Sequence, residues 1–122
     1  MGKTTRKVGL EGVKFNAAIG FFEEERVFKN NFLVDVDVLF TQMDKTQTED
    51  LSKTIDYSLL YDICEQEFAK ESLLIETVAQ QILDKIISDF SFVEEAYIKI
   101  RKLNPPLEAQ IQYSFIELNY QK

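Results

Sequence analysis

The run Phe32-Leu33-Val34-Asp35-Val36-Asp37-Val38-Leu39-Phe40 alternates with a period of two. Phe32, Val34, Val36, Val38 and Phe40 take one parity, and Asp35 and Asp37 take the other. Successive side chains of a strand point to opposite faces, so this run predicts a strand with one face in a core. Upstream, Val13, Phe15, Ala17 and Ile19 alternate with Lys14 and Asn16, which predicts a first strand from about Val8 to Gly20. The acidic segment Phe21 to Arg26 would join the two as a bend. Downstream lies a polar loop, from Gln42 to about Lys53.

The period then changes. Tyr57, Leu60, Tyr61, Cys64 and Phe68 recur at steps of three and four, which predicts a helix over about Asp56 to Lys70 with Asp56 as N-cap. Ile75, Val78, Ala79, Ile82, Leu83 and Ile86 predict a second helix, from about Leu73 to Phe90, with Ser72 as its cap. A third strand follows over about Glu94 to Lys102, with Ala96, Ile98 and Ile100 on one face. Asn104-Pro105-Pro106 ends it, because proline cannot donate to a ladder. A fourth strand covers about Gln110 to Tyr120.

The order ββααββ predicts an α+β fold: a four-stranded antiparallel sheet with two antiparallel helices on one face. The other face is expected to carry Leu33, Leu39, Tyr97, Ile116 and Leu118. Such a face needs a cover. Assembly of several sheets into a closed barrel would supply one and remove the open edges.

The 122 residues fit one domain, 1–122, and a hydrophobic fraction of 45% is enough to give it a core. The net charge of -7 disfavours nucleic acid as a partner, because an acidic surface repels phosphate backbones. No stretch is long and apolar enough to span a bilayer. The start of the chain has no apolar run of the kind found in a signal peptide, and Arg6 spoils a myristoylation motif. Cys64 is the one cysteine, which suits a reducing cytoplasm and reads as a buried small hydrophobe. Histidine is absent, so a His-based zinc site, a Ser-His-Asp triad and a Cys-His pair are all excluded. Catalysis must fall to Lys, Tyr, Glu or Asp.

Four places could carry it. Lys102 shares the parity of Ile98 and Ile100, where its ammonium could be partly desolvated and so suited to proton transfer. Taken alone, it reads rather as a strand-end lysine reaching into water. Glu76 sits between core positions Ile75 and Val78, where a carboxylate could grip a guanidine-like edge with two parallel hydrogen bonds. Taken alone, it reads rather as a first-turn glutamate favoured by the helix dipole. One of Glu23, Glu24 and Glu25 could orient a hydroxyl or water, or the run is a solvated bend. Tyr57 could relay a proton, or it is a half-buried tyrosine with a wet tip.

The order of these residues resembles the dihydroneopterin aldolase family over nearly the whole chain, from about Val8 to Leu118. The segments that carry the resemblance are Ile19-Gly20-Phe21-Phe22-Glu23-Glu24-Glu25-Arg26, Phe32-Leu33-Val34-Asp35-Val36, Glu49-Asp50-Leu51 with Thr54-Ile55-Asp56-Tyr57, Leu74-Ile75-Glu76-Thr77-Val78-Ala79, and Lys102-Leu103-Asn104-Pro105-Pro106. The resemblance implies a tunnelling fold in which four subunits close a barrel, so that the protein is a tetramer, or an octamer where two rings stack. It implies sites between subunits and a pterin substrate, 7,8-dihydroneopterin, cut to 6-hydroxymethyl-7,8-dihydropterin and glycolaldehyde without metal or cofactor. It also implies roles. Lys102 is the catalytic lysine, Glu25 the active-site glutamate and Tyr57 the tyrosine reaching in from a neighbour. Glu76 anchors the pterin, with Ile75 and Ile55 as further substrate-binding positions. The chain departs from the family at Ile19, where many members carry histidine, and at Asn30, where glutamine is common. A further departure is Gln112-Tyr113-Ser114, where a glycine-bearing last strand is usual.

Two relatives of the same reading are an epimerase of dihydroneopterin triphosphate and a non-catalytic pterin- or purine-binding oligomer. A zinc enzyme such as pyruvoyl tetrahydropterin synthase is disfavoured by the missing histidines.

Overall fold

The computed structural model describes residues 2–42 and 54–122. The acidic segment Glu49-Asp50-Leu51 and most of the predicted polar loop lie outside the described residues. Along the chain come β1 (Thr5–Ala17), α1 (Glu23–Phe28), β2 (Asn30–Thr41), α2 (Tyr57–Phe68), α3 (Ile75–Asp89), β3 (Glu95–Lys102) and β4 (Ser114–Gln121). The strands form one antiparallel sheet in the order β1-β2-β3-β4. α2 packs on β1, and α3 packs on β3 and β4.

β2 matches its alternation residue by residue. Phe32, Val34, Val36, Val38 and Phe40 are at most 1% exposed and meet Leu60, Ile82 and Ile86 from the helices. Burying each such side chain contributes about 1.5–3 kcal/mol. Cys64 is in the same cluster, and burial pushes its thiol up to about 12, so it is no nucleophile.

β1 differs from its prediction in start, end and phase. It runs Thr5–Ala17 and carries a bulge between Leu10 and Val13, where Gly12 adopts φ +71°. The extra residue switches parity, so Val8 and Leu10 share the core face with Val13 and Phe15. Beyond β1, Ile19 forms a parallel bridge to Ser72 instead of extending the strand.

The acidic segment is a short helix, α1, not a bend, so the order is βαβααββ. Glu23, Glu24 and Glu25 occupy its first turn, where the dipole favours negative charge. The carboxylate of Glu25 also accepts from the Phe22 N–H at 3.4 Å. Lys29 closes this helix with φ +59° and ψ 174°, a region ordinarily reserved for glycine. Lys29→Gly should therefore raise the melting temperature by a few degrees, since relief of about 1–3 kcal/mol of strain outweighs the added chain entropy. Calorimetry showing no rise would refute this.

Asp56 caps α2 as expected, its carboxylate accepting from the Ser58 N–H at 2.9 Å. Tyr57, however, is 61% exposed and stands off the buried stripe of Leu60, Ile63, Cys64 and Phe68. Ser72 is not the cap of α3. Leu74 takes that place without a side-chain bond, because the backbone of Ser72 is engaged with Ala18 and Gly20.

β4 begins at Ser114, and its apolar residues face the other way from the prediction. Ile116 and Leu118 lie directly opposite Ile100 and Ile98, and opposed residues of an antiparallel pair share a face, so both pack on the core. The outer face is accordingly more polar than expected. Arg101 pairs with Asp35 at 2.7 Å and Lys99 with Glu117 at 3.7 Å, beside half-buried Leu33, Leu39 and Tyr97. The Arg101 hydrogen bond holds the Asp35 carboxyl below the usual carboxylate range.

Candidate active site

Lys102 closes β3 on the same parity as Ile98 and Ile100, and the register sets it opposite Phe32. Its stem therefore leaves the sheet toward the helices. Its Nζ lies 2.6 Å from Glu25 Oε2, and the two side chains are only 13% and 10% exposed. A charge-assisted bond this short, largely out of water, fixes both groups. Removing either would leave the other ionised in a poorly solvated place.

Glu25 reaches Lys102 because Gly20 leaves room for it. A Cβ at Gly20 would stand 2.5 Å from both Cβ and Cδ of Glu25. Any side chain there would push the carboxylate out of place. The strand end is held as well. Asn30, 8% exposed, donates to the Asn104 carbonyl at 2.8 Å and accepts from the Asn104 amide at 3.3 Å. Leu103 N–H donates to Asn31 O at 3.0 Å. The chain just after Lys102 is thus tied to the chain just after α1. Asn30, notable in the sequence only as a departure from glutamine, is the buried polar residue that makes this tie.

Lys102 and Glu25 open onto a cavity of about 350 Å³, within the range of roughly 300–1,000 Å³ usual for small-molecule sites. Ile75 and Glu76 line it from the first turn of α3. Phe21, Phe22, Leu73, Leu74, Pro106 and Phe115 complete most of the wall. Four of the six residues singled out in the sequence, Lys102, Glu25, Glu76 and Ile75, therefore meet at one place. The other two do not line it. Ile55 is 3% exposed and belongs to the core cluster, and Tyr57 projects from the start of α2.

The apolar walls were not singled out by sequence reasoning. Their signal was present: Phe21, Phe22, Leu73 and Leu74 flank the two glutamates but fit no core stripe. They remain open in the single chain, with Phe21 67%, Phe115 54% and Leu73 52% exposed. A second cavity, of about 260 Å³, lies on the opposite face of the sheet among Lys7, Asp37, Tyr97 and Asn119, and none of the six residues borders it.

Chemically, the cavity beside Lys102 is walled largely by apolar side chains. A carboxylate stands on one wall and an ammonium–carboxylate pair on the other. That arrangement can hold a planar heterocycle by a donor-rich edge and pass protons at its far side.

Comparison with known proteins points the same way. A family model described as dihydroneopterin aldolase matches residues 8–119. The dihydroneopterin aldolase of Bacillus subtilis is 32% identical over 117 residues, covering 95% of this chain and 98% of that protein. Among solved structures, Escherichia coli dihydroneopterin aldolase in complex with neopterin superposes with a TM-score of 0.82 at 16% identity, over 94% of this chain and 98% of that one. The Burkholderia thailendensis dihydroneopterin aldolase bound to guanine gives 0.77 at 16% identity, over 97% and 92%.

Proposed function

The chain belongs to the dihydroneopterin aldolase family, and on that premise we propose that it cleaves 7,8-dihydroneopterin in the cavity between α1, α3 and the end of β3. The observation that carries the reading is the Lys102–Glu25 pair, 2.6 Å apart, sharing one cavity with Glu76. Among the described residues the Glu76 carboxylate has no partner of its own, which suits it to the amino and ring N–H groups of a pterin.

The reaction breaks one carbon–carbon bond. A base takes the proton of the side-chain hydroxyl on the second carbon, and that oxygen's electrons form the C=O of glycolaldehyde. The bond between the first and second side-chain carbons breaks, and its electron pair flows into the ring C=N, whose nitrogen takes a proton. The resulting enol is then protonated on carbon and the ring C=N is restored, giving the hydroxymethyl group. Protons balance without a co-reactant, and the ring itself is the electron sink that a Schiff base or metal supplies in other aldolases. Lys102 serves the ring nitrogen and the cleaved bond through a bound water, while Glu25 orients the hydroxyl.

Tyr57 and the open walls fit an assembly of copies. We assign Tyr57 to the site of a neighbouring protomer in a tetramer or octamer, because its exposed ring has no place in its own cavity and the exposed Phe21, Leu73 and Phe115 need a cover. Ile55, buried in the core, supports the start of α2 that carries Tyr57. A reducing cytoplasm suits the free Cys64.

The charge pattern argues for an uncharged substrate side chain over a triphosphate. Among the described residues Lys102 is the sole cation lining the cavity, and it is already paired with Glu25. Lys99 and Arg101, its basic neighbours, face the other side of the sheet and pair with Glu117 and Asp35. One experiment tests the reading: turnover of 7,8-dihydroneopterin with detection of glycolaldehyde, alongside sedimentation at the assay concentration. Pterin binding without glycolaldehyde would leave a binding oligomer instead, and a monomer active at full rate would remove the role of Tyr57.

A further inference from the structure

We infer that Arg26 is a positioning residue, whose guanidinium sets the distance between the Glu25–Lys102 wall of the cavity and the Glu76 wall. The inference rests on the reading of this cavity as the pterin-cleaving site. Arg26 follows Glu25 on α1. Its Nη1 donates to the carbonyl of Gly20 at 2.8 Å and to that of Phe21 at 2.9 Å. Its Nε lies 3.3 Å from Glu71 Oε1 across the gap. One planar group therefore grips both the turn that leads into α1 and the segment that leads into α3.

That second segment is the carrier of Glu76. Next to Glu71, Ser72 exchanges backbone bonds with the first, donating to Ala18 O at 3.2 Å and accepting from Gly20 N–H at 3.0 Å. Four residues later comes Glu76. The backbone bridge ties the two segments at one line. Arg26 adds a tie on the α1 side of that line and stops α1 from pivoting about it. The turn it holds contains Gly20, the residue whose missing side chain admits the Glu25 carboxylate. A guanidinium suits this because its donors sit in a rigid fork, so the three acceptors are held at fixed spacing.

The ion pair itself contributes little to stability, since Glu71 is 70% exposed. The two bonds to the Gly20 and Phe21 carbonyls contribute about 1 kcal/mol each, so loss of Arg26 should cost a modest part of the stability and act chiefly on geometry. With the ring anchored at Glu76, a shift of α1 moves Glu25, and with it the counter-charge 2.6 Å from Lys102, relative to the bond being broken. A misplacement of about 1 Å can cost about 10²-fold in rate.

The test compares wild type and Arg26→Ala in turnover of 7,8-dihydroneopterin, in equilibrium binding of neopterin, and in thermal unfolding. Expected is a fall in kcat of about 10- to 100-fold, with neopterin affinity changed less than about threefold and the melting temperature lowered by only a few degrees. A kcat within about twofold of wild type would overturn the inference. So would a fall of neopterin affinity in parallel with kcat, which would mark Arg26 as structural only. Should Arg26→Ala fail to fold, Arg26→Gln carries the same comparison, because it keeps one donor for the turn and loses the Glu71 tie. A wild type that releases no glycolaldehyde refutes the reading of the site and the inference with it, on a separate measurement.

Discussion

Lys102→Ala should lower kcat for 7,8-dihydroneopterin by roughly 10²–10⁴-fold, the usual worth of a positioned proton-transfer group. The ammonium lies 2.6 Å from Glu25 and borders the cavity from the end of β3. Among the described residues it is the one cation lining that cavity, so none of them can take its place there. The alanine variant also strands Glu25, 10% exposed, without its counter-charge, and part of the loss could then come from a displaced Glu25. Lys102→Arg separates the two effects. Arginine keeps a positive charge for Glu25 but does not give up a proton at working pH. Turnover should stay low in both variants while the arginine variant unfolds near the wild-type temperature. Single-turnover kinetics make the comparison, and an arginine variant at wild-type rate would reject proton transfer by Lys102.

Glu76→Ala should weaken equilibrium binding of neopterin by roughly 10²-fold, as expected for two charge-assisted hydrogen bonds lost together. Glu76 is exposed in the chain and lies in the first turn of α3, so folding should barely respond. The effect should appear in KM and in the dissociation constant before it appears in kcat, the reverse of the Lys102 variants. Glu76→Gln, which keeps one acceptor and swaps the other for a donor, should fall between. Fluorescence titration of the pterin would read all three. Unchanged affinity in the alanine variant would place the ring anchor elsewhere.

Much of the architecture was legible because it rests on apolar periodicity. The β2 alternation, the α3 stripe and the Asp56 cap are local patterns, and each reappears in the fold, while the α2 stripe returns at Leu60, Cys64 and Phe68 but not at Tyr57 and Tyr61, which are exposed. What escaped was of three kinds. The parity switch at Gly12 depends on a bulge, which needs a partner strand to be seen. α1 spans six residues, too few to display a period, and its glutamates read as well for a bend. Ile116 and Leu118 were set on the wrong face because facing depends on the register with β3, which β4 alone does not reveal.

The site divides along the same line. The parity of Lys102 and the place of Glu76 beside Ile75 could be read directly. The choice of Glu25 among three glutamates could not, because its contact with Lys102 spans 77 residues. Only the family resemblance singled it out. Asn30, Gly20 and Arg26 stayed in the background for a related reason: Asn30 and Arg26 act through backbone carbonyls, and Gly20 through the side chain it lacks, none of which a residue list displays.

The alternation along β3 has a consequence for how such a site could change over generations. Ile98, Ile100 and Lys102 lie on the helix side, and Lys99 and Arg101 on the other. Deleting one residue upstream in β3 would trade the two sets, sending isoleucines into solvent and an ion-paired arginine toward the cavity. A lineage carrying that deletion would lose the domain before it could explore a new reaction. The reactive amine thus travels with the hydrophobic spacing, and substitution, rather than insertion or loss, is the route open to this strand.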